Sequence, residues 1–234
     1  MALVRFVIAL GTLAILSLAG ASAQDIEVQA RIELLQAGGQ KASNHASAHV
    51  VLWLTPEPGV ATAFGPGQFR MEQKNKSFNP HLLVVPLGST VEFPNLDPFF
   101  HNVFSQFNGK RFDLGLYEAG STRIVHFDHE GVSYLFCNIH SQMAAVIVTL
   151  RTPYFTVATR GGAIALHNVP AGDYEMHVWA EGGDAKQLEA LSHRVHIGTF
   201  QRDLGTIPVY VTGAPSPHKN KFGDDYRPEP EQTY

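Results

Sequence analysis

Between Phe69 and Leu150 the chain falls into short apolar runs, each closed by a turn signal, and that rhythm restricts it to β-sheet. Leu82 to Val85 is one run, and Pro86-Leu87-Gly88-Ser89 turns it into the next, Thr90 to Phe93. Ser121 to Phe127 alternates, Val132 to Cys137 leads into a loop, and Ala145 to Leu150 closes the series. Similar signals lie on both sides. Ile26, Val28, Ala30, Ile32 and Leu34 alternate with mostly polar neighbours, and His49 to Leu54 is an apolar run stopped by Pro56-Glu57-Pro58-Gly59. Residues 59–67 read as a linker. Beyond residue 152 come Ala163 to Leu166, the turn Val169-Pro170-Ala171-Gly172, Tyr174 to Trp179, His193 to Ile197 and Ile207 to Val211. Only residues 186–192 (KQLEALS) suit a helical turn or two. The expectation is an all-β protein of two sandwich-like units.

The two ends differ from this interior. Met1 to Arg5 is a short positive start, Phe6 to Ala19 is apolar, and Ala21-Ser22-Ala23 is a small-residue cleavage site, so residues 1–23 read as an export signal. No membrane span is expected once it is cleaved, because the apolar run falls short of the ~20 residues a bilayer needs. Residues 213–234 are rich in Pro and charge, lack periodicity, and read as a flexible tail. A net charge of −4 offers no basic surface for nucleic acid.

Export sharpens the question posed by the single cysteine. Secreted chains keep cysteines as disulfides, yet Cys137 has no partner in the chain. The spacing Cys137-x-x-His140-x-x-Met143 supplies an answer: thiolate, imidazole and thioether on one short loop between two strands make a ligand set suited to copper. His101, after the strand Thr90 to Phe93 and in apolar surroundings, is the best fourth ligand. Two His, one Cys and a weak Met are the blue-copper donor set. Asn102 is placed to support the site by a hydrogen bond toward the cysteine sulfur or its loop.

The remaining histidines carry weaker signals. His126 and His129 flank a turn, His193 and His196 point to opposite faces of a strand, and His45 and His49 sit in a Ser/Asn/Ala loop. His81 begins a strand and is placed near the copper ligands in sequence. No second metal site is expected from these spacings. Nor does any nucleophile elbow, carboxylate pair or phosphate loop appear, so the chain reads as a non-enzyme with no catalytic residue.

The stretch Val85 to Leu150 resembles the cupredoxin family of plastocyanin, amicyanin and pseudoazurin, through V-P-L-G-S-T-V-E-F-P-N-L-D, then His101-Asn102, then F-C-N-I-H-S-Q-M. The resemblance implies a Greek-key β-sandwich over residues 64–151 with one type 1 copper, held equatorially by His101, Cys137 and His140 and axially by Met143. Ser141 stands where the family often has proline. The exported chain also resembles bacterial proteins labelled methylamine utilization protein, through F-P-N-L-D-P-F-F-H-N-V-F-S.

Residues 152–179 are similar to the carboxypeptidase regulatory-like β-sandwich, in which the turn N-V-P-A-G-x-Y delivers an aromatic to the core. The opening strands of that module are missing before residue 152 and resemble residues 26–55 instead. The expectation is therefore a discontinuous unit, 24–58 with 152–212, into which the copper unit is inserted. Taken together, these resemblances imply a periplasmic one-electron carrier serving a redox protein such as a c-type cytochrome or an oxidase, with the electron passing at an exposed edge of His140. Copper storage or delivery is the alternative, as is a docking or carbohydrate-contact protein with a vestigial copper unit.

Overall fold

The structure, a computed structural model, describes residues 25–36, 49–58, 60, 64–106, 109–212 and 219–226. The expected export signal, the Gly38-Gly39 turn and His45 lie outside the described residues.

Strand pairing divides the chain into two groups. In the first, β1 (Ile26–Leu35) runs between β14 (Ala163–Val169) and β17 (Asp203–Tyr210), antiparallel to one and parallel to the other. Beside it, β2 (Val50–Pro56) lies between β13 (Phe155–Val157) and β15 (Gly172–Ala180), with β16 (His193–Ile197) on the far edge. Both strands from the start of the chain thus pair with strands beyond residue 154. In the second group, β3 (Gln68–Arg70), β7 (Ser89–Pro94) and β10 (Thr122–Phe127) form one sheet. Facing it is a five-stranded sheet in the order β6 (Leu82–Pro86), β12 (Ala144–Leu150), β11 (Gly131–Phe136), β8 (His101–Ser105) and β9 (Phe112–Tyr117). A small hairpin, β4 (Glu72–Gln73) with β5 (Phe78–Asn79), sits beside them.

The strand β12 joins the two groups. Its sequence AAVIVTL has no polar side for solvent, because both of its faces are buried. Ala145 and Ile147 point into a core with Val85, Val91, Phe93, Val103, Leu135 and Cys137, while Val146, Val148 and Leu150 join the core of the flanking unit. The indole Nε1 of Trp179 donates to Tyr134 Oη across the same boundary. The two strand groups therefore share a wall, and the apolar run that marks a strand also marks the junction.

Local signals explain the turns. Gly88 takes φ +85°, a conformation that favours glycine, and its N–H donates to Phe127 O over 2.8 Å. At the other turn Tyr174 is fully buried and its hydroxyl donates to Pro170 O at 2.8 Å, so the aromatic both fills the core and closes the loop that delivers it. The helical turn expected near residues 186–192 is α1 (Ala185–Ala190), capped by Asp184, whose carboxylate accepts from Gln187 N at 3.0 Å.

Candidate metal centre

Cys137 is the first residue after β11, and β12 begins at Ala144, so seven residues must turn the chain through a hairpin. Two backbone bonds close that loop: Cys137 N donates to Met143 O at 3.2 Å, and Met143 N donates to His140 O at 3.1 Å. His101 opens β8, the neighbour of β11, and so faces the loop from the adjacent strand. The sheet brings together residues 36 positions apart in sequence.

The donor atoms converge. His101 Nδ1 lies 3.8 Å from Cys137 Sγ and His140 Nδ1 lies 3.6 Å from it, in a pocket where His101 and Cys137 have no solvent exposure. An imidazole nitrogen about 2.0–2.1 Å and a thiolate about 2.3 Å from one ion stand roughly 3.6–3.8 Å apart at angles between tetrahedral and trigonal. The pocket therefore has the dimensions of a metal site as it stands. Met143 is buried in the same apolar core as Cys137. The soft donors, thiolate and thioether, suit copper. Phe99 covers both imidazoles, edge-on to His101 at 5.2 Å and tilted against His140 at 5.6 Å, and keeps water from the site.

Electrostatics prepare the thiol. Burial alone pushes the Cys137 thiol up, but the side chains of His101 and His140 and the backbone N–H groups of Asn102 and Ile139 overcome it and bring it down to about 5. Asn102 reaches the sulfur through its backbone. Its side chain turns away, donating to Asp113 Oδ1 at 2.7 Å and Gly115 O at 3.0 Å, and so ties β8 to β9.

The residue that orients His101 is Asp97, which sequence spacing does not reveal. Its Oδ2 lies 2.8 Å from His101 Nε2, leaving Nδ1 directed at the thiolate, the carboxylate–histidine pairing usual behind metal ligands. Asp97 is itself held: Asn75 N donates to Oδ1 at 2.6 Å and Lys76 N to Oδ2 at 2.9 Å. Asn75 and Lys76 both occupy the left-handed region, φ +56° and +52°, and their strained backbone aims both N–H groups at one carboxylate. Asn95, fully buried, shapes the approach by accepting from Asp97 N at 3.1 Å and donating to Phe99 O at 2.7 Å.

Three expectations change here. His140 is buried, with 6% of its surface exposed, so it presents no broad open edge; its neighbour Ile139 and the nearby Phe100 and Leu96 are exposed instead. A loop pinned at both ends folds its histidine inward and turns the intervening residue out. Second, the histidine spacings give no expectation of another metal-capable group, yet His81 stands beside His49 and Glu181, its side chain bonding the backbone of Ala144 next to Met143.

Third, the described part of the tail, residues 219–226, is docked on the ligand loop where a flexible tail was expected. Tyr226 Oη donates to Cys137 O at 2.8 Å, Lys221 N donates to Asn138 Oδ1 at 2.9 Å, and Lys221 Nζ meets Asp113 Oδ2 at 2.7 Å. Gln106 Nε2 donates to Lys221 O at 2.7 Å. Burial pushes the Tyr226 phenol up to about 12, so it remains a donor throughout the physiological range. These are single polar contacts without an apolar stripe, which is why periodicity does not register them. Ending the chain at Thr212 is expected to speed removal of copper by a chelator roughly 10-fold, the scale of losing an outer partner of a metal ligand. An unchanged rate would show that the docked segment does not hold the loop.

No family model matches the chain, and no curated protein matches it. Among solved structures it is similar to a purple cupredoxin from Nitrosopumilus maritimus, 24% identical over 35% of this chain and 98% of that one, with a TM-score of 0.32. A pseudoazurin from Sinorhizobium meliltoi is 22% identical over 37% of this chain and 76% of its own, with a TM-score of 0.29. A copper-containing nitrite reductase from Thermus scotoductus SA-01 is 22% identical with a TM-score of 0.35, and the match covers half of this chain and 28% of that protein. With every score this low, the donor set of the chain itself carries the assignment of a metal.

Proposed function

We propose that this chain is an exported, periplasmic protein with one type 1 copper, held by His101, Cys137, His140 and Met143, and that it moves single electrons between redox proteins. The observation that supports this reading is the convergence of one buried thiolate and two imidazole Nδ1 atoms at metal-ligand separations. Bound copper would supply a centre that cycles between Cu(I) and Cu(II). The chain's own residues do the rest. The two backbone bonds of the ligand loop and the Asp97–His101 pair hold the donors in one arrangement, which limits rearrangement on electron transfer. Phe99 and the surrounding core exclude water and any further ligand. Leu96, Phe100 and Ile139 offer exposed apolar surface next in sequence to Asp97, His101 and His140, and this is where a c-type cytochrome or an oxidase would dock. No catalytic residue is assigned. Residues 64–151 form the copper unit in this reading, inserted into a discontinuous regulatory-like unit of residues 24–58 and 152–212. Support for export comes from residues 1–23, and among the described residues no helix is long and apolar enough to cross a membrane.

Voltammetry of the copper-loaded protein tests the reading. A carrier gives a reversible one-electron wave and keeps its metal through repeated cycles. Loss of copper to a Cu(I) chelator on reduction would favour storage or delivery. A centre with no one-electron wave would overturn both the carrier and the type 1 assignment.

Proton release tests the donor set separately. Burial pushes the His101 imidazole down, but Cys137 and Asp97 more than offset this and hold its pKa above the usual value. With the thiol brought down to about 5 and the imidazole held above its usual range, His101 keeps its proton after Cys137 has lost its own. Copper uptake below neutral pH should then release protons, His101 supplying one of them, and affinity should fall as pH drops. Copper uptake that releases no proton below neutral pH would mean that the electrostatic account is wrong.

A further inference from the structure

Besides His101, Cys137 and His140, one other group of side chains among the described residues gathers three metal donors within 4.8 Å of one another: His49, His81 and Glu181. Their sequence positions show no motif, since they come from three separate segments. Glu181 immediately follows β15, and His49 immediately precedes β2, to which β15 is paired. The backbone joins these two ends, with Glu181 N donating to His49 O at 3.0 Å. His81 immediately precedes β6 in the other sheet group, and its carbonyl accepts from Val146 N at 2.8 Å. All three donors thus stand at strand ends held by ladder bonds, which fixes them better than loops would.

The side chains meet in a compact arrangement. His81 Nε2 lies 2.9 Å and 3.0 Å from the two oxygens of Glu181, and His49 Nδ1 contacts Oε2 of the same carboxylate. The two imidazole rings stack with centroids 4.5 Å apart and planes 25° from parallel. His81 also bonds the backbone of Ala144, the kind of contact that orients the ring of a metal-ligating histidine. With a metal in place of the protons, the two imidazoles and one carboxylate make an anionic N2O donor set, matched to a divalent ion. Side-chain exposures of 39% for His49, 34% for His81 and 22% for Glu181 leave a route in from solvent and room for a water ligand.

We propose that His49, His81 and Glu181 form a second metal site, for a divalent first-row ion of the zinc or Cu(II) class, at the junction of the two sandwiches. The donors exclude the softer and harder choices: no sulfur is present to favour Cu(I), and two nitrogens disfavour calcium and magnesium. A metal there joins the ends of β2 and β15 to the start of β6. It is a clamp across the boundary that β12 also spans, built from side chains other than those of the proposed copper site.

Zinc binding to the full-length Cys137→Ser protein tests the proposal, followed by calorimetry and thermal unfolding. The expected result is one zinc per chain and a melting temperature that rises with zinc. Adding His81→Gln or Glu181→Gln should weaken that binding at least 10-fold and abolish the thermal shift, whereas His196→Gln, at an exposed histidine paired with Asp173, should change neither. Zinc binding unaffected by His81→Gln and Glu181→Gln, or no zinc bound at micromolar concentration, would overturn it. Should those variants misfold, the wild-type protein gives the answer by electron paramagnetic resonance. A second equivalent of Cu(II) should then add a signal with two-nitrogen hyperfine structure and no thiolate absorption, and its absence would overturn the proposal equally.

Discussion

Replacing Cys137 by serine should leave a protein that shows no intense visible absorption with Cu(II) and holds the ion at least ~100-fold more weakly, a larger loss than outer partners of a ligand cause. The argument starts from ionisation. Burial disfavours a thiolate, yet two imidazoles and two backbone N–H groups bring the Cys137 thiol to about 5, so the sulfur is already anionic at neutral pH. A serine hydroxyl in the same place stays protonated and is a hard, weak donor. His101, His140 and Met143 would remain, but without the thiolate there is no thiolate-to-copper charge transfer and no soft equatorial ligand to favour Cu(I). Absorption spectra of the wild-type and Cys137→Ser proteins with one equivalent of Cu(II) measure this directly. A wild-type protein that binds Cu(II) without that band would place the metal elsewhere.

The ligand loop is legible in sequence because its parts are local: Cys137, His140 and Met143 lie within seven residues, and the strands on either side carry strong apolar runs. His101 is legible for a different reason, the strand Thr90 to Phe93 before it. Its own strand, β8, is not. His101–Ser105 is buried at every position, so it has no alternation to betray it. β12 shows the reverse case, in which an unbroken apolar run correctly marks a strand but conceals that its two faces serve different cores. What spacing cannot show is a partnership across the sheet. Asp97 four residues before His101 suggests nothing until the left-handed pair Asn75 and Lys76 is seen to hold its carboxylate, and a Lys-Asn-Lys run reads simply as an exposed turn. The His49–His81–Glu181 group is more distant still, since 100 residues separate His81 from Glu181. The tail is docked by single hydrogen bonds to Asn138, Asp113 and Cys137, a mode of attachment with no period.

Asp97→Ala should destabilise the metal-free fold by roughly 2–4 kcal/mol and weaken copper binding by about 10–100-fold, although Asp97 itself touches no metal donor atom facing the pocket. His101 has no solvent exposure, so removing the carboxylate leaves Nε2 buried without its partner, and the backbone N–H groups of Asn75 and Lys76 lose their acceptor as well. The Asn75 end faces solvent and can turn to water; the histidine cannot, and most of the cost falls there. The pH dependence has a definite sign. Burial raises the Asp97 carboxyl, but His101 and the N–H groups of Lys76 and Asn75 bring it below the ordinary value. A carboxylate depressed in the folded state contributes stability above its unfolded pKa of about 4 and loses it as pH falls through the folded value, so wild type and Asp97→Ala should converge in strong acid. Asp97→Asn separates charge from hydrogen bonding. An asparagine there still offers one acceptor to His101, so the imidazole keeps its orientation, but the negative charge behind the ligand is gone. A negative charge favours Cu(II) over Cu(I), and removing it should raise the reduction potential while the blue band persists. Denaturant unfolding, competitive copper titration and voltammetry on the two variants measure the three effects. A potential in Asp97→Asn unchanged from wild type would mean that the Asp97–His101 bond shapes the pocket without tuning the metal.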